Sequence, residues 1–395
     1  MTGIKMTNQL RIPCVFMRGG TSKALVFHGR DLPSDIEERH RIFLSAMGSP
    51  DPGKRQLDGM GGGLSSLSKI CVIDPPSRPD ADVDYTFVQI PVTDGPPDYS
   101  SNCGNMSSAI GPFAVEEGLV HPPDGEAVVR IHNTNTGKII ESRFAVQDGL
   151  PMVTGDFVNP GVAGKGARIR LDFVDPAGAA TGRLLPTGNP SDLIDVPGLP
   201  APIAVSLIDA TNPVVFLRAE ALGLTGYETP EEIEGTPGLM DRLEAIRCAG
   251  SMAMGLTPTM DAAHARAGSP KIGMVAPPRA YRSTAGETLS ATDFDIAIRM
   301  ISMGQAHRAV TLTGSMCTAV AAALPGTCVA DLANPPQDGI LRLGHASGVM
   351  PAMARVTRTD DGWHVAHATV FRTARRLMEG HVTVPPRPRA DHAGQ

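Results

Sequence analysis

Chemistry in this chain is concentrated in thiols, one lysine and glycine-rich turns. The stretch Ser101-Asn102-Cys103-Gly104-Asn105-Met106-Ser107-Ser108 opens with small polar residues and a cysteine. It then runs into Ala109, Ile110, Phe113, Ala114 and Val115 and stops near Gly118. That order predicts a buried helix with Ser or Asn at its cap. Its first turn offers free backbone N–H groups and a positive dipole end, a place that favours a thiolate or a substrate carboxylate. The plainer alternative is a buried cysteine packed as a small hydrophobe. Lys69 ends the flexible run from Asp58 through Gly61-Gly62-Gly63 to Ser68, where the apolar strand Ile70-Cys71-Val72-Ile73 begins. Facing out, it is a solvated residue at a strand edge. Facing in, desolvation favours the neutral amine and makes it a usable base.

Other chemistries lack their parts. The eleven histidines do not cluster at ligand spacing. His364 and His367 lie three apart in a predicted strand, so they point to opposite faces and do not share a metal. Gly19-Gly20-Thr21-Ser22-Lys23 is not a nucleotide loop, because the phosphate-cradling order is Gly-Lys-Ser/Thr at a helix start. It reads as a turn between strands where backbone approaches a ligand closely, or as a plain bulge or hairpin. There is no serine elbow, dinucleotide fingerprint or paired carboxylate motif. The remaining parts suit proton transfer beside a carboxylate, without cofactor or metal, with N–H donors to hold a developing enolate.

The elements that must position these residues are mostly short strands. Ile12–Phe16, Ala24–Phe27, Tyr85–Val92, Ile203–Ile208, Val214–Leu217 and Lys271–Ala276 read as strands, and Val128–Val146 as a hairpin about Asn135-Thr136-Gly137. Ser34 and Glu37 read as the capping box of a helix reaching Met47, stopped by Gly48. Glu231–Gly255 is helix-rich, broken at Gly235-Thr236-Pro237. Ser290–Met303 reads as a helix with Phe294, Ala297, Ile298 and Ile301 on one face. Thr313-Gly314-Ser315-Met316-Cys317-Thr318 repeats the Cys103 theme ahead of an Ala/Val helix ending at Pro325-Gly326, which suggests an internal duplication. Trp363–Phe371 and His381–Val384 read as the last strands.

With 395 residues the chain suits two domains. A net charge of −6 without a basic tract, and only 4% aromatic residues, argue against nucleic acid and anionic membrane surfaces. Met1–Leu10 has one lysine and no apolar segment, so no secretory signal is expected. Six cysteines without paired spacing predict reduced thiols and a cytoplasmic setting.

Taken together, the motifs Met17-Arg18-Gly19-Gly20-Thr21-Ser22-Lys23, Gly48-Ser49-Pro50-Asp51-Pro52, Asp58-Gly59-Met60-Gly61-Gly62, Ser68-Lys69, Asn102-Cys103-Gly104-Asn105, Pro186-Thr187-Gly188-Asn189 and Val275-Ala276-Pro277-Pro278 resemble the family of 2-methylaconitate cis–trans isomerase. Met303-Gly304, His307 and Arg372-Thr373-Ala374-Arg375 continue the match, in order, from about residue 11 to about 385. That family also contains 4-oxalomesaconate tautomerases, 3-methylitaconate isomerases and aconitate isomerases. The resemblance implies an α+β fold of two pseudo-symmetric diaminopimelate epimerase-like domains, each a curved, mostly antiparallel sheet wrapped round a central helix. The turn-rich passage Leu184-Leu185-Pro186-Thr187-Gly188-Asn189-Pro190 places the domains at 1–188 and 189–385, with the last strand free to cross back to the first domain, and composition makes 386–395 a disordered tail.

The resemblance also implies roles. The catalytic lysine falls on Lys69 and the catalytic cysteine on Cys103. Substrate-binding positions fall on Arg18, Thr21, Ser22, Ser68, Asn102, Gly104, Asn105, Arg279, His307, Ser315 and Met316, with the central helices starting at Asn102 and near Ser315. Cys317 is read as packing, with a second reactive thiol as the alternative. The expected activity is a cofactor-independent allylic 1,3-proton shift, or a cis–trans isomerisation, on an unsaturated di- or tricarboxylate. A two-thiol amino-acid racemase and a non-catalytic carboxylate-binding protein remain open alternatives. The expected partner is that small molecule alone, with a homodimer as an open oligomeric state.

Overall fold

The computed structural model describes residues 9–99, 102–360 and 362–386. Ser101, residues 1–8 and positions 387–395 of the expected tail lie outside them. The chain divides into two compact units, one of residues 1–169 with 372–395, the other of residues 170–371. The division therefore falls ahead of the turn-rich Leu184–Pro190 passage chosen from composition, and residues 170–188 belong with the second unit.

Unit 1 is built on β1 (Leu10–Gly19), β2 (Ser22–His28), α1 (Ile36–Met47), β3 (Lys69–Asp74), β4 (Val83–Gln89), α2 (Gly104–Glu116), β5 (Gly125–Asn133) and β6 (Lys138–Gln147). β1 and β2 form a hairpin, β2 runs parallel to β3, β3 antiparallel to β4, β4 parallel to β5, and β5 antiparallel to β6. The C-terminal strand Ala374–Val384, longer than the expected His381–Val384, pairs antiparallel with β1. Every residue of α2 from Met106 to Val115 is buried. A helix apolar all round must be enclosed, and α2 touches β1, β2, β5, β6 and the C-terminal strand. The other sheet face, with Leu25, Phe27, Ile70, Val72 and Val88, packs on Ile42, Phe43 and Met47 of α1. Asp35, not Ser34, caps α1 by accepting from Glu37 N at 3.0 Å, and Gly48 ends it at φ 73°.

Unit 2 repeats that plan in β7 (Ile203–Ala210), β8 (Asn212–Arg218), α3 (Pro230–Gly235), α4 (Leu239–Ala253), β9 (Lys271–Ala276), β10 (Ile296–Ser302), α5 (Leu312–Ala322), β11 (Ile340–His345), β12 (Gly348–Thr359) and β13 (Gly362–Arg372). The pairings from β7 to β12 are again antiparallel, parallel, antiparallel, parallel, antiparallel. Ile272 and Met274 of β9 pack toward Leu243 and Ile246 of α4, and α5 takes the place of α2. Two sequence expectations are corrected here. Residues 290–303 contain a strand, not a helix. Ile296 to Ser302 are all buried, and a run buried on both faces carries no period that separates strand from helix. The second central helix begins at Leu312, three residues before Ser315, because Thr311 caps it by accepting from Gly314 N.

Candidate active site

Lys69 is the first residue of β3, with Ala24 and Gln89 opposite it on the neighbouring strands. Ile70 and Val72 point to the α1 core, so alternation turns Lys69 and Cys71 toward α2. The lysine faces inward and is only 7% exposed. Its Nζ donates to Gln89 Oε1 at 2.6 Å and lies 4.9 Å from the centre of the Phe87 ring. Gln89 is fixed in turn, its Nε2 donating to the carbonyls of Ser65 and Ser68 at 3.0 Å. The glycine-rich run before Lys69 is pinned as well. Buried Gln56 accepts from Ser68 Oγ at 2.6 Å and from Gly63 N at 2.9 Å, and donates to Ser49 Oγ. Neither glutamine was singled out from sequence. The register of Lys69 against β4 is the signal that points to Gln89.

Cys103 is the N-cap of α2 and is partly exposed, with its side chain not used for capping. Its carbonyl accepts from Ser107 N, and Asn102 Oδ1 accepts weakly from Ser107 Oγ at 3.4 Å. Gly104 opens the helix and is buried. Cys71, between Lys69 and this cap, is sealed in the core. Burial pushes its thiol far up, Cys103 acts the same way, and the hydrogen bond with Tyr85 and then Lys69 oppose. Lys69 and Cys103 thus both lie within electrostatic reach of one side chain. The buried Tyr85 hydroxyl stands 3.9 Å from Cys71 Sγ and is likewise pushed well above its usual range, by burial first.

The β1–β2 turn abuts α2. A Cβ on Gly19 would lie 2.6 Å from the Asn105 carbonyl, and one on Gly20, at φ 51°, would strike the Asn105 side chain. Only glycine permits that approach. Asn105 Nδ2 donates to Thr21 Oγ1 at 3.1 Å, while its Oδ1 accepts from Arg372 Nε at 3.1 Å. Arg372, a buried guanidinium held at about 10 by desolvation, was quoted in a motif but given no role. Ser22 is buried and Thr21 exposed. Arg18 donates to the carbonyls of Gly20 and Thr373, both at 2.9 Å, so its guanidinium braces the turn. Burial and then Arg375 lower its proton affinity.

The unit 2 candidates do not form one group. Ser315 and Met316 are fully buried inside α5, with Ser315 Oγ donating to Leu312 O. Cys317 is also fully buried, its Sγ 3.6 Å from Ile208 O and its thiol pushed far up by burial. Arg279 follows the C-terminal end of β9 and stacks 4.3 Å over the Tyr227 ring, whose hydroxyl accepts from Arg279 N. His307 stands instead within electrostatic reach of Lys271, at the opposite end of β9. Surrounding protein and then the Lys271 charge lower its proton affinity, although the residue as a whole is exposed.

A two-domain α+β fold, with a buried lysine at the start of a strand and a partly exposed cysteine at the cap of a buried helix, defines the class. The model of the PrpF protein family matches residues 9–385, and the chain belongs to that family. It is 42% identical to 3-methylitaconate isomerase of Eubacterium barkeri, over 96% of this chain and 98% of the relative. It is 38% identical to 2-methyl-aconitate isomerase of Shewanella oneidensis, over 95% and 98%. The crystal structure of methylitaconate-delta-isomerase superposes with a TM-score of 0.88 at 41% identity, covering 95% of this chain and 96% of that one. The protein is an isomerase. No helix among the described residues is long and apolar enough to cross a membrane.

Proposed function

We propose that this isomerase moves a double bond within a small unsaturated di- or tricarboxylate, of the aconitate, 2-methylaconitate, 4-oxalomesaconate or methylitaconate type. It does so by cofactor-independent allylic proton transfer. The observation that carries this reading is the Lys69 corner: a buried amine aimed at α2, held by a neutral amide rather than a carboxylate. The names and near-full coverage of the relatives support the substrate class.

In this mechanism neutral Lys69, or Cys103 as thiolate, takes an allylic proton acidified by the conjugated carboxylate. The C–H electron pair enters the π system as a dienolate. The N–H groups of the α2 first turn, beside Cys103, hold its charge. The proton returns at the far carbon, which moves the double bond by one position. Rotation about the bond that is single in the dienolate gives cis–trans exchange by the same intermediate. Thr21, Ser22, Asn102, Gly104 and Asn105 line the approach, with Ser68 behind Lys69. A two-thiol racemase would need Cys317 at a reacting surface, and its burial in α5 counts against that. The reading takes the protein as a cytoplasmic tautomerase with no nucleic-acid or membrane partner.

The test is proton NMR in D2O with cis- and trans-aconitate, 2-methylaconitate, itaconate, 3-methylitaconate and 4-oxalomesaconate. Deuterium entering an allylic position of one compound, and not in Lys69→Met, is the expected result. Exchange at Cα of amino acids alone, or none at all, overturns it.

A further inference from the structure

Glu244 and Cys248 stand four residues apart on α4, so their side chains emerge on one face of that helix. Against α4 lies the short helix Met260–Ala265, which carries His264. The three side chains meet at one atom. Glu244 Oε1 accepts from Cys248 Sγ at 3.4 Å and lies 3.0 Å from His264 Nδ1. The sulfur, the nitrogen and the oxygen all lie within 4.8 Å of one another, and among the described residues no other three cysteine, histidine or carboxylate side chains converge in this way. All three residues belong to unit 2, and the proton transfer proposed above uses none of them.

These separations are close to those of a metal site. Zinc holds thiolate sulfur at about 2.3 Å and imidazole nitrogen or carboxylate oxygen at about 2.0–2.2 Å, which sets tetrahedral ligand atoms roughly 3.3–3.7 Å apart. Arg247 holds the carboxylate from behind, with Nε donating to Oε2 and Nη2 to Oε1, both at 2.7 Å. Ligating carboxylates are commonly oriented by such outer hydrogen bonds. The same buried guanidinium donates to Ala263 O, Arg266 O and Ser269 O, which fixes the segment bearing His264 against α4. Its charge opposes a dication, but it also favours the Cys248 thiolate, and two anionic ligands outweigh it. Cys248 is buried, whereas the Glu244 side chain is 29% and the His264 side chain 77% exposed, so the group is open on the histidine side. A pocket of about 300 Å³ lined by Met240, Glu244, Arg247, His264 and Met303 gives an ion its way in.

We propose that Glu244, Cys248 and His264 form a zinc-binding site in unit 2, which clips the short helix Met260–Ala265 to α4 and leaves a fourth coordination position to solvent. One thiolate, one imidazole and one carboxylate suit zinc, whereas magnesium and calcium take oxygen ligands. Without metal the Cys248 thiol is pushed up to about 11, by burial first, with Arg247 opposing and the Glu244 carboxylate adding to the rise. Binding therefore releases the S–H proton to solvent and puts a sulfur–zinc bond in its place, so affinity rises with pH. The site is independent of Lys69 and Cys103, and of the substrate assigned to them.

The test uses the full-length, chelator-treated and reduced protein, titrated with zinc against a chromophoric chelator and with cobalt as a spectroscopic probe. Wild type is expected to take up one equivalent of zinc, more tightly as pH rises, and to melt several degrees higher with the metal than without it. Cobalt should give a near-ultraviolet thiolate-to-metal band that Cys248→Ser loses. His264→Ala, at an exposed position that leaves the core intact, should weaken zinc binding roughly tenfold or more and abolish the gain in melting temperature. Cys103→Ala should retain the full equivalent and the cobalt band. A wild type that takes up less than half an equivalent overturns the inference and reduces the three side chains to a hydrogen-bonded clamp. Zinc affinity within twofold of wild type in His264→Ala, or a cobalt band unchanged in Cys248→Ser, also overturns it. Loss of the band in Cys103→Ala assigns the metal to the α2 cap and overturns it as well.

Discussion

Lys69 and Lys271 occupy the same place in two copies of one strand plan, yet their surroundings have diverged. Lys69 takes its amide partner from the antiparallel neighbour β4, through Gln89, which three backbone carbonyls lock in place. Lys271 takes its amide from the hairpin side, through Asn212. At the helix, unit 1 presents the partly exposed thiol of Cys103 at the cap, whereas unit 2 caps with Thr311 and keeps its thiol, Cys317, sealed more than a turn inside. A duplicated frame has therefore kept two buried amines and a partly exposed thiol at only one of the two helix caps. A thiol at an exposed helix cap is open to reaction, and one surrounded by backbone is a packing atom.

The largest effect that would break this comparison is expected at Lys69. Lys69→Met should lower turnover by roughly 10³-fold or more, the range of a lost general base, with little change in circular dichroism. Retention of near-normal turnover would remove unit 1's claim to the chemistry. The thiols come next and sharpen the contrast. Cys103→Ala should cost about 10²-fold or more in kcat. Cys317→Ala should leave kcat within a few-fold and instead lower stability by about 1–2 kcal/mol through the void left beside Ile208. The two variants, assayed and melted side by side, should separate cleanly into an activity loss and a stability loss. If Cys317→Ala abolishes turnover, the two-thiol reading returns.

A smaller effect is expected at the β1–β2 turn. Arg372 fixes the Asn105 carbonyl oxygen, which leaves Nδ2 to face Thr21. Asn105→Asp keeps the shape and the Arg372 contact but cannot donate to Thr21, and it sets a negative charge at the α2 N-terminus. KM for a carboxylate substrate should rise about tenfold, with kcat changing less. An unchanged KM would remove Asn105 from the binding surface.

Much of this frame can be read from residue order alone. Short apolar runs bounded by turn residues locate β1, β2, β3, β7, β8 and β9, and Asn135-Thr136-Gly137 marks the β5–β6 hairpin. The glycines of the β1–β2 turn announce a close approach, although not that Asn105 is what approaches. Ile296–Ser302 is buried throughout, as β9 is, but Phe294, Ala297, Ile298 and Ile301 also fit a helical spacing, and a run enclosed on both faces carries no alternation to decide against it. Gly314 looks like a helix boundary, whereas Thr311 supplies the cap and the glycine sits in the third helical position, where a Cβ would strike Met300. Gln89, Asn212 and Arg372 act through partners distant in sequence, and Gln56 through loop contacts seven to twelve residues away, so no regular local pattern marks them. Lys271 stood in a correctly read strand without being singled out, because its inward direction depends on which sheet face α4 covers.

Burial of Lys271 also makes stability depend on pH. In the unfolded chain Lys271 holds its proton up to its ordinary value of 10.5, but in the folded protein only to about 8. Between those values the unfolded state binds more protons, so this group makes stability rise with pH. Its penalty is complete below about pH 8 and disappears as pH approaches the unfolded value. Each tenfold loss of proton affinity is worth about 1.4 kcal/mol, which makes the full penalty a few kcal/mol. Lys271→Met removes the penalty together with the hydrogen bond to Asn212. The variant's melting temperature relative to wild type should therefore be highest near pH 7 and fall by several degrees toward pH 10. Other groups that titrate in this range are common to both proteins and cancel in the difference. A difference independent of pH would mean that Lys271 is solvated, and that unit 2 kept the lysine of the duplicated frame without its electrostatic cost.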